Sequence, residues 1–382
     1  MIVSANSAAL QILKGLQGLQ ETQKSYWAED KANWVRPPNH GPWFGPGVPG
    51  QVEPISDLTK EAIARIVAIV GEGGSVDLSG QSYTHSSISA SDNATIIGGE
   101  GNDSIGAQHY ATVYGSGGSD SIGVLDYGKV DGGAGEDFIG AFDYADIIAG
   151  EGDDWVDANH YAKVDLGDGD DYVRAYSYAQ VAGGTGNDEI RVNDHATVDA
   201  GEGDDLVVSS GHATINGGAG NDILITADSV KYDSPYYGYN DIDGGEGDDY
   251  IQTTDNSNVR GGTGNDVIRL IGAGSTVSFA KGDGQDAILS HDSFTLNISG
   301  YSRDAVSVAV ENDVFVVSFA GSDEKITLDI SNGATAHLTF EDSSSLDVSG
   351  GESAKVLTHL WARVDWGLED AYYVRSSTSR PY

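Results

Sequence analysis

The stretch that decides the fold is Gly98-Gly99-Glu100-Gly101-Asn102-Asp103-Ser104-Ile105, because close variants of it recur along the chain. Two of these variants are Gly132-Gly133-Ala134-Gly135-Glu136-Asp137-Phe138-Ile139 and Gly217-Gly218-Ala219-Gly220-Asn221-Asp222-Ile223-Leu224. The aspartate of the motif recurs at a constant 17-residue step over eight copies: Asp103, Asp120, Asp137, Asp154, Asp171, Asp188, Asp205 and Asp222. A fixed period of this kind is typical of a solenoid, in which each repeat forms one coil.

The period continues with two irregular steps. The step from Asp222 to Asp249 is longer, at one period plus a ten-residue insertion. Asp266 follows after one regular period, and a degenerate last copy places Asp286 three positions later than the period would. The repeat therefore extends to about residue 288.

The other half of each period also repeats, as in His109-Tyr110-Ala111-Thr112-Val113. Alternation places Ile105 and Ala107 on the buried face of one short strand, and Ala111 and Val113 on the buried face of the next. We therefore predict an all-β fold, a parallel β-roll or β-helix solenoid with 17-residue coils and a thin aliphatic core. A small helical N-terminal cap and a C-terminal β cap would close its ends.

The N-terminal region, 1–75, differs in composition from the repeats. It contains Trp27, Trp34, Trp43 and six of the eight prolines, and a helix is predicted over 57–70. The helix would shield the first coil, and the Trp/Pro segment is either part of this cap or a recognition surface. We assign 76–288 to the roll and 289–348 to the C-terminal β cap, where short alternating strands are predicted, as in Val306–Val310.

Composition excludes several classes of protein. The chain of 382 residues has 20 Lys+Arg against 59 Asp+Glu, a formal net charge of −39, which excludes a basic nucleic-acid binder. It has no cysteine, so neither a disulfide framework nor a thiolate zinc site can form. No apolar run reaches the length of about 18 residues that a membrane-spanning helix needs, so we expect no membrane span.

The repeat resembles the GGxGxDxUx nonapeptide of the RTX (repeats-in-toxin) family. The resemblance implies calcium ions held between successive Gly-rich turns by the Asp carboxylate and by backbone carbonyls. The residues that match are Asp103, Asp120, Asp137, Asp154, Asp171, Asp188, Asp205, Asp222, Asp249, Asp266 and Asp286. Stacked acidic turns would repel one another at about 5 Å, and a hard divalent cation with oxygen ligands removes that repulsion. Each coil carries one motif, so we expect a single row of about seven to ten Ca²⁺ ions.

The same resemblance implies a route out of the cell. RTX proteins that leave through a type I system carry an uncleaved C-terminal secretion signal, and 349–382 looks like such a signal. The expected partners are therefore calcium and the type I secretion machinery, and the expected location is extracellular, with association to a cell surface as one variant.

Two groups of tyrosines are candidates for a ligand surface such as polysaccharide. One lies at the same position of successive coils, and the other lies in the insertion: Tyr110, Tyr127, Tyr144, Tyr161, Tyr178, Tyr232, Tyr236 and Tyr237. The alternative for the first group is a structural ladder, in which aromatic neighbours on adjacent strands pack against one another. His109 and His160 are expected to shape turns, with zinc binding or proton transfer as the alternative.

No catalytic residue can be assigned. The chain has no HExxH, no GxSxG and no P-loop motif. We therefore expect a non-enzymatic calcium-binding protein that acts as a binding or surface-associated module. One alternative is a polysaccharide lyase or epimerase that uses the roll surface. Another is an ice-binding protein, which has weaker support because only Thr185-Gly186-Asn187 and Thr263-Gly264-Asn265 have the turn sequence that such proteins need.

Overall fold

A computed structural model describes residues 65–79, 85–226, 238–331 and 333–349, with the backbone alone for 65–69. The described residues are all-β, apart from a single 3-10 turn at Arg303–Ala305. They fall into two compact units, which divide between Thr185 and Gly186. The predicted all-β parallel solenoid with 17-residue coils is confirmed.

In the first unit each coil contributes one strand to each of two parallel sheets. The first sheet contains β1 (Arg65–Val70), β3 (His85–Ala90), β5 (Ser104–Ala107), β7 (Ser121–Val124), β9 (Phe138–Ala141), β11 (Trp155–Ala158) and β13 (Tyr172–Ala175). The second contains β2 (Ser75–Asp77), β4 (Thr95–Ile97), β6 (Thr112–Gly117), β8 (Lys129–Ala134), β10 (Asp146–Glu151), β12 (Lys163–Asp168) and β14 (Gln180–Thr185).

The second unit has the same arrangement and ends in antiparallel strands. Its first sheet is β15 (Glu189–Val192), β17 (Leu206–Ser209), β19 (Ile223–Thr226), β21 (Tyr250–Thr253), β23 (Val267–Leu270), β25 (Gln285–Ser290), β29 (Lys325–Ile330), β28 (Val314–Phe319) and β27 (Val306–Glu311). Its second sheet is β16 (Thr197–Glu202), β18 (Thr214–Ala219), β20 (Asp241–Glu246), β22 (Asn258–Thr263), β24 (Thr276–Ala280), β26 (Phe294–Ser299), β30 (Thr335–Phe340) and β31 (Ser345–Ser349).

The sequence period becomes the strand register. Ile122 pairs with Ile139 and Val130 with Ile147, so equivalent residues of successive coils lie side by side. Inward positions alternate with outward ones, and the four core positions predicted for the first regular coil are all buried. Each coil therefore adds a few aliphatic side chains to a narrow core between the two sheets.

Glycine is required where neighbouring coils approach most closely. Gly150 has φ of +130°, and a Cβ at this position would lie 2.0 Å from the carbonyl oxygen of Gly133. Other residues neither adopt this backbone conformation readily nor fit in the space. The motif glycines thus allow the coils to stack along this edge.

One prediction at the N-terminal end is wrong. The helix expected over 57–70 is replaced over Arg65–Val70 by strand β1, which pairs in parallel with β3. This segment is rich in β-branched Ile and Val, which favour strands, and pairing with the next coil supplies the hydrogen bonds. The remainder of that predicted helix and the Trp/Pro segment lie outside the described residues, as does 350–382. In the C-terminal region, β26 to β29 form over the predicted strands.

Candidate functional site

The aspartate of each motif lies in the turn that follows the strand of the second sheet, with its side chain buried. The backbone N–H of Asp120 donates to Oδ1 of Asp137 at 2.7 Å, and that of Asp137 donates to Oδ1 of Asp154 at 2.7 Å. Each carboxylate thus accepts a hydrogen bond from the equivalent residue of the preceding coil. The same bond recurs in both units, with these carboxylates as acceptors: Asp120, Asp137, Asp154, Asp171, Asp205, Asp222, Asp249, Asp266 and Asp286. We refer to the motif aspartates as the inner ladder.

The second carboxylate oxygen is buried without a partner in most of the ladder. Among the described residues, Oδ2 has no hydrogen-bond partner in Asp120, Asp137, Asp154, Asp205, Asp222, Asp249 and Asp266. Asp103 differs, because Ser86 donates to its Oδ1 and the Gly99 N–H donates to its Oδ2 at 2.8 Å. A buried polar atom without a partner is costly, so seven copies of it require an explanation.

A backbone carbonyl borders the same space as this oxygen. A Cβ built at Gly115 would lie 2.4 Å from Oδ2 of Asp120 and 2.2 Å from the carbonyl oxygen of Gly132 in the next coil. The first glycine of the motif therefore leaves a small space that a carboxylate and a carbonyl oxygen both border. This pair of oxygens recurs at five glycines: Gly98, Gly115, Gly132, Gly217 and Gly244.

Burial raises the pKa of the ladder carboxyls. The pKa of Asp154 rises from 3.8 to about 7 and that of Asp120 to about 8. Burial is the largest cause, the accepted backbone hydrogen bond lowers both pKa values, and the neighbouring ladder carboxylates raise them. Burial is also the largest cause of the raised pKa at six other ladder positions. The pKa is about 6 for Asp137, Asp222 and Asp266, about 7 for Asp205, and about 8 for Asp249 and Asp286. Ionised at neutral pH, the inner ladder is therefore electrostatically unfavourable without a counter-charge.

These features fit a hard cation. Within the described residues no three His, Asp, Glu or Cys side chains converge on one point, so any ion would need backbone carbonyls in addition to carboxylates. Such an oxygen-only set suits Ca²⁺. The residues that would hold it are the ladder aspartates through Oδ2, together with the carbonyl groups of the neighbouring glycines. The fit varies along the chain, because buried Ala149, Leu166 and Ala200 replace the first glycine in three copies.

A second ladder runs along the outside of the same turns. The residue before each ladder aspartate is Asn or Asp in most copies, and its side chain accepts a hydrogen bond from the next coil. The Asp204 N–H donates to Oδ1 of Asn187 at 2.8 Å, and the Asp170 N–H donates to Oδ1 of Asp153 at 3.0 Å. Asn and Asp serve equally well here because only an acceptor oxygen is needed. These side chains are exposed, unlike those of the inner ladder.

The predicted tyrosines of the first unit lie in the opposite turns rather than on strands. Tyr110, Tyr127, Tyr144, Tyr161 and Tyr178 have φ of 59–65°, the left-handed region, and are about half exposed. Successive rings stack with centroids 4.8–4.9 Å apart and interplanar angles of 3–8°. Each inner ring is covered on both faces by its neighbours, so solvent reaches mainly ring edges. The stack offers a ligand edges and hydroxyl groups rather than open ring faces.

The two histidines lie in these turns, as predicted. Nδ1 of His109 lies 3.2 Å from Asp92, and Nδ1 of His160 lies 3.3 Å from Asp143, in each case the carboxylate of the preceding coil. Within the second unit, His195 stacks on His212 with centroids 4.8 Å apart, and the His212 and Tyr239 centroids are 6.2 Å apart. The insertion tyrosines Tyr232, Tyr236 and Tyr237 lie outside the described residues.

Two other side-chain groups were missed in the sequence. Tyr114, Ser116 and Asp131 surround a hollow on the outer face of the second sheet. His337 and Asp347 face each other across β30 and β31, with Nδ1 and Oδ1 2.5 Å apart. Ser116 left a signal, since it stands where the motif has its second glycine. The His337–Asp347 pair left none, because it depends on the register of two antiparallel strands.

No helix among the described residues is long and apolar enough to cross a membrane.

Comparisons with known proteins assign no role to this site. No protein-family model and no curated protein matches the chain. One solved structure that matches is the extracellular lipase LipA from Serratia marcescens, with 19% identity and a TM-score of 0.23, over 55% of this chain and 42% of that chain. The chain thus spans less than half of the lipase's length, and a similarity at this TM-score carries no argument about activity.

Proposed function

We propose that this protein is an extracellular calcium-binding solenoid of the RTX type, whose coils fold or tighten when a row of Ca²⁺ ions binds along the inner ladder. Calcium binding would then be coupled to folding, because the carboxylates that hold the ions come together only when the coils stack. Secretion in an unfolded state through a type I system, followed by folding in calcium outside the cell, is the sequence of events that such a protein would follow.

One observation carries the proposal: seven ladder aspartates each bury a carboxylate oxygen that lacks a hydrogen-bond partner among the described residues. A solenoid that needed no ion could have used Asn at this position, because Oδ1 alone accepts the bond from the preceding coil. The outer ladder, where only an acceptor is needed, does mix Asn and Asp. The inner ladder keeps Asp at every copy, as a site for a hard cation would require.

The test is a calcium titration of metal-free protein. Far-UV circular dichroism would follow β-structure, and calorimetry would give the stoichiometry. We expect a cooperative gain of β-structure or of thermal stability with several ions bound, and a much weaker response to Mg²⁺, which demands a stricter geometry. Full β-structure and unchanged thermal stability with and without calcium, or only one or two bound ions, would refute the proposal.

A matched pair of variants locates the ions. Asp154→Asn removes the buried carboxylate of one coil, whereas Asp153→Asn makes the same charge change one residue earlier in the exposed outer ladder. Asn already stands at the position of Asp153 in other copies, such as Asn187 and Asn221. We expect Asp154→Asn to lower the stoichiometry or the calcium affinity and Asp153→Asn to leave both unchanged. Equal effects would place the ions elsewhere.

A further inference from the structure

The outer face of the second sheet in the first unit contains a hollow of about 380 Å³, lined by Ile97, Tyr114, Ser116, Asp131 and Gly133. Register brings these residues together: Tyr114 on β6 pairs with Ile97 of β4 on one side and with Asp131 of β8 on the other. Ser116 lies two residues further along β6, so it points to the same face as Tyr114. Gly133, which pairs with Ser116, has no side chain to fill the hollow.

Ser116 is held in a costly conformation. Its φ is +87°, and the corresponding residues of the following coils, Gly133 and Gly150, are glycines with φ of +108° and +130°. Glycine adopts this region without strain, whereas serine does so at a cost. Glycine would therefore be the simpler residue here if the coil only had to stack. The hydroxyl in a strained position points to a role for the hollow itself.

The polar groups around the hollow are available to a ligand. Tyr114 is 42% exposed, and unlike the stacked tyrosines its ring packs on no other aromatic ring of the described residues. Three polar groups here form no hydrogen bond or ion pair with other described residues: the Tyr114 hydroxyl, the Ser116 hydroxyl and the Asp131 carboxylate. An aromatic ring beside hydroxyl and carboxylate groups is suited to a pyranose ring, whose C–H groups contact the ring and whose hydroxyls bind oxygen.

The charge around the hollow decides which sugars fit. Asp131 contributes one carboxylate to the lining of the hollow. The whole chain carries a formal charge of −39. Acidic glycans would be repelled at such a site, and an ammonium group would be attracted.

We propose that the hollow around Tyr114, Ser116 and Asp131 binds one pyranose unit of an uncharged or amino-substituted glycan, with the amino sugar preferred. This site lies beside the inner ladder, because the Asp131 carboxylate is near enough to raise the pKa of the ladder residue Asp137. Binding is therefore measured in conditions where circular dichroism shows folded protein, with and without calcium.

The test is calorimetry of the full chain with three oligosaccharides of equal length: tetraglucosamine, cellotetraose and tetragalacturonate. We expect binding in that order of affinity, with none detected for the acidic chain. Tyr114→Ala, which leaves the charge unchanged, is expected to weaken both binding oligosaccharides about tenfold. Tight binding of the acidic oligosaccharide, no binding of any of the three, or wild-type affinity in Tyr114→Ala would overturn the proposal.

Asp165 provides a matched control for the charge. It follows Lys163 and Val164 on β12 as Asp131 follows Lys129 and Val130 on β8, but it lines no part of the hollow. Asp131→Asn is expected to weaken the binding of tetraglucosamine at least about fivefold, and Asp165→Asn to leave that binding unchanged. Equal losses would indicate nonspecific attraction to an acidic surface and would refute the assignment.

A third variant separates binding from stability. Ser116→Gly relieves the strained backbone and removes the hydroxyl, so we expect a higher melting temperature together with weaker sugar binding. A higher melting temperature with unchanged affinity would show that the Ser116 hydroxyl does not bind the sugar. If Tyr114→Ala also kept wild-type affinity, the hollow would have no role in binding sugar.

Discussion

In the absence of metal, acid should stabilise the inner ladder in place of the calcium that we propose. A carboxyl whose pKa is higher in the folded than in the unfolded state binds its proton more tightly when the chain is folded. Its contribution is fully present below the unfolded pKa, near 4, and is lost as the pH rises through the folded pKa. Asp154, whose pKa burial raises to about 7, should therefore make metal-free protein less stable at pH 8 than at pH 5.

The magnitude follows from the size of the shift. A rise in the pKa of Asp154 from 3.8 to about 7 corresponds to at most about 4 kcal/mol, and solvent screening reduces this to about 2 kcal/mol. For a domain of this size, about 2 kcal/mol changes the melting temperature by about 4–8 °C. Several ladder carboxyls share the effect, so the wild-type difference between pH 5 and pH 8 should exceed that of one group.

The assay is thermal unfolding of metal-free protein, followed by circular dichroism at pH 5, 6, 7 and 8. Asp154→Asn cannot ionise, so it should melt about 4–8 °C above wild type at pH 8, and this difference should shrink as the pH falls to 5. It should close fully only below about pH 4, where the wild-type carboxyl is protonated in both the folded and the unfolded state. With calcium present the sign should reverse, because the variant lacks a ligand for the ion. The exposed Asp153→Asn serves as the control for net charge. A melting temperature that rises between pH 5 and pH 8 without metal, or two variants that behave alike, would refute the reasoning.

Three further predictions concern stability in calcium-containing buffer and are read as melting temperatures. Gly150→Ala should destabilise the protein by more than about 2 kcal/mol, because the new Cβ would collide with a carbonyl oxygen and φ is positive. Gly106→Ala should be neutral, because no atom lies within 4 Å of its Cβ, and similar effects of the two variants would contradict the stacking argument. Tyr127→Ala removes two ring contacts and should cost about 1–2 kcal/mol, so an unchanged melting temperature would show that the stack is not structural. Asn240→Ala should cost about 3 kcal/mol of stability, because the buried amide hydrogen-bonds to the Thr226 and Ser257 hydroxyls and to the Ala213 N–H. The exposed Asn216→Ala should cost little, and equal losses would disprove a stabilising role for the hydrogen bonds of Asn240.

Local sequence signals were less informative than the repeat itself. The helix-start signal Ser56-Asp57 precedes the segment around Ile66 and predicts a helix there. In the structure Arg65–Val70 pairs with β3, so tertiary pairing overrode the local signal. The tyrosine stack was predicted at the right positions but on strands, and it lies in turns because Tyr110 and its equivalents have left-handed backbone.

The sequence by itself determined the coil. A 17-residue period of glycine, aspartate and alternating aliphatic residues leaves one way to bury the apolar positions, with equivalent residues side by side on parallel strands. What only the tertiary structure decided is what stacking does to side chains that are far apart in sequence. It buries Asp137 Oδ2 without a partner beside a carbonyl of the next coil, and it joins Tyr114 and Asp131 around one hollow. These properties arise between coils, from approach distances and burial that no single repeat contains.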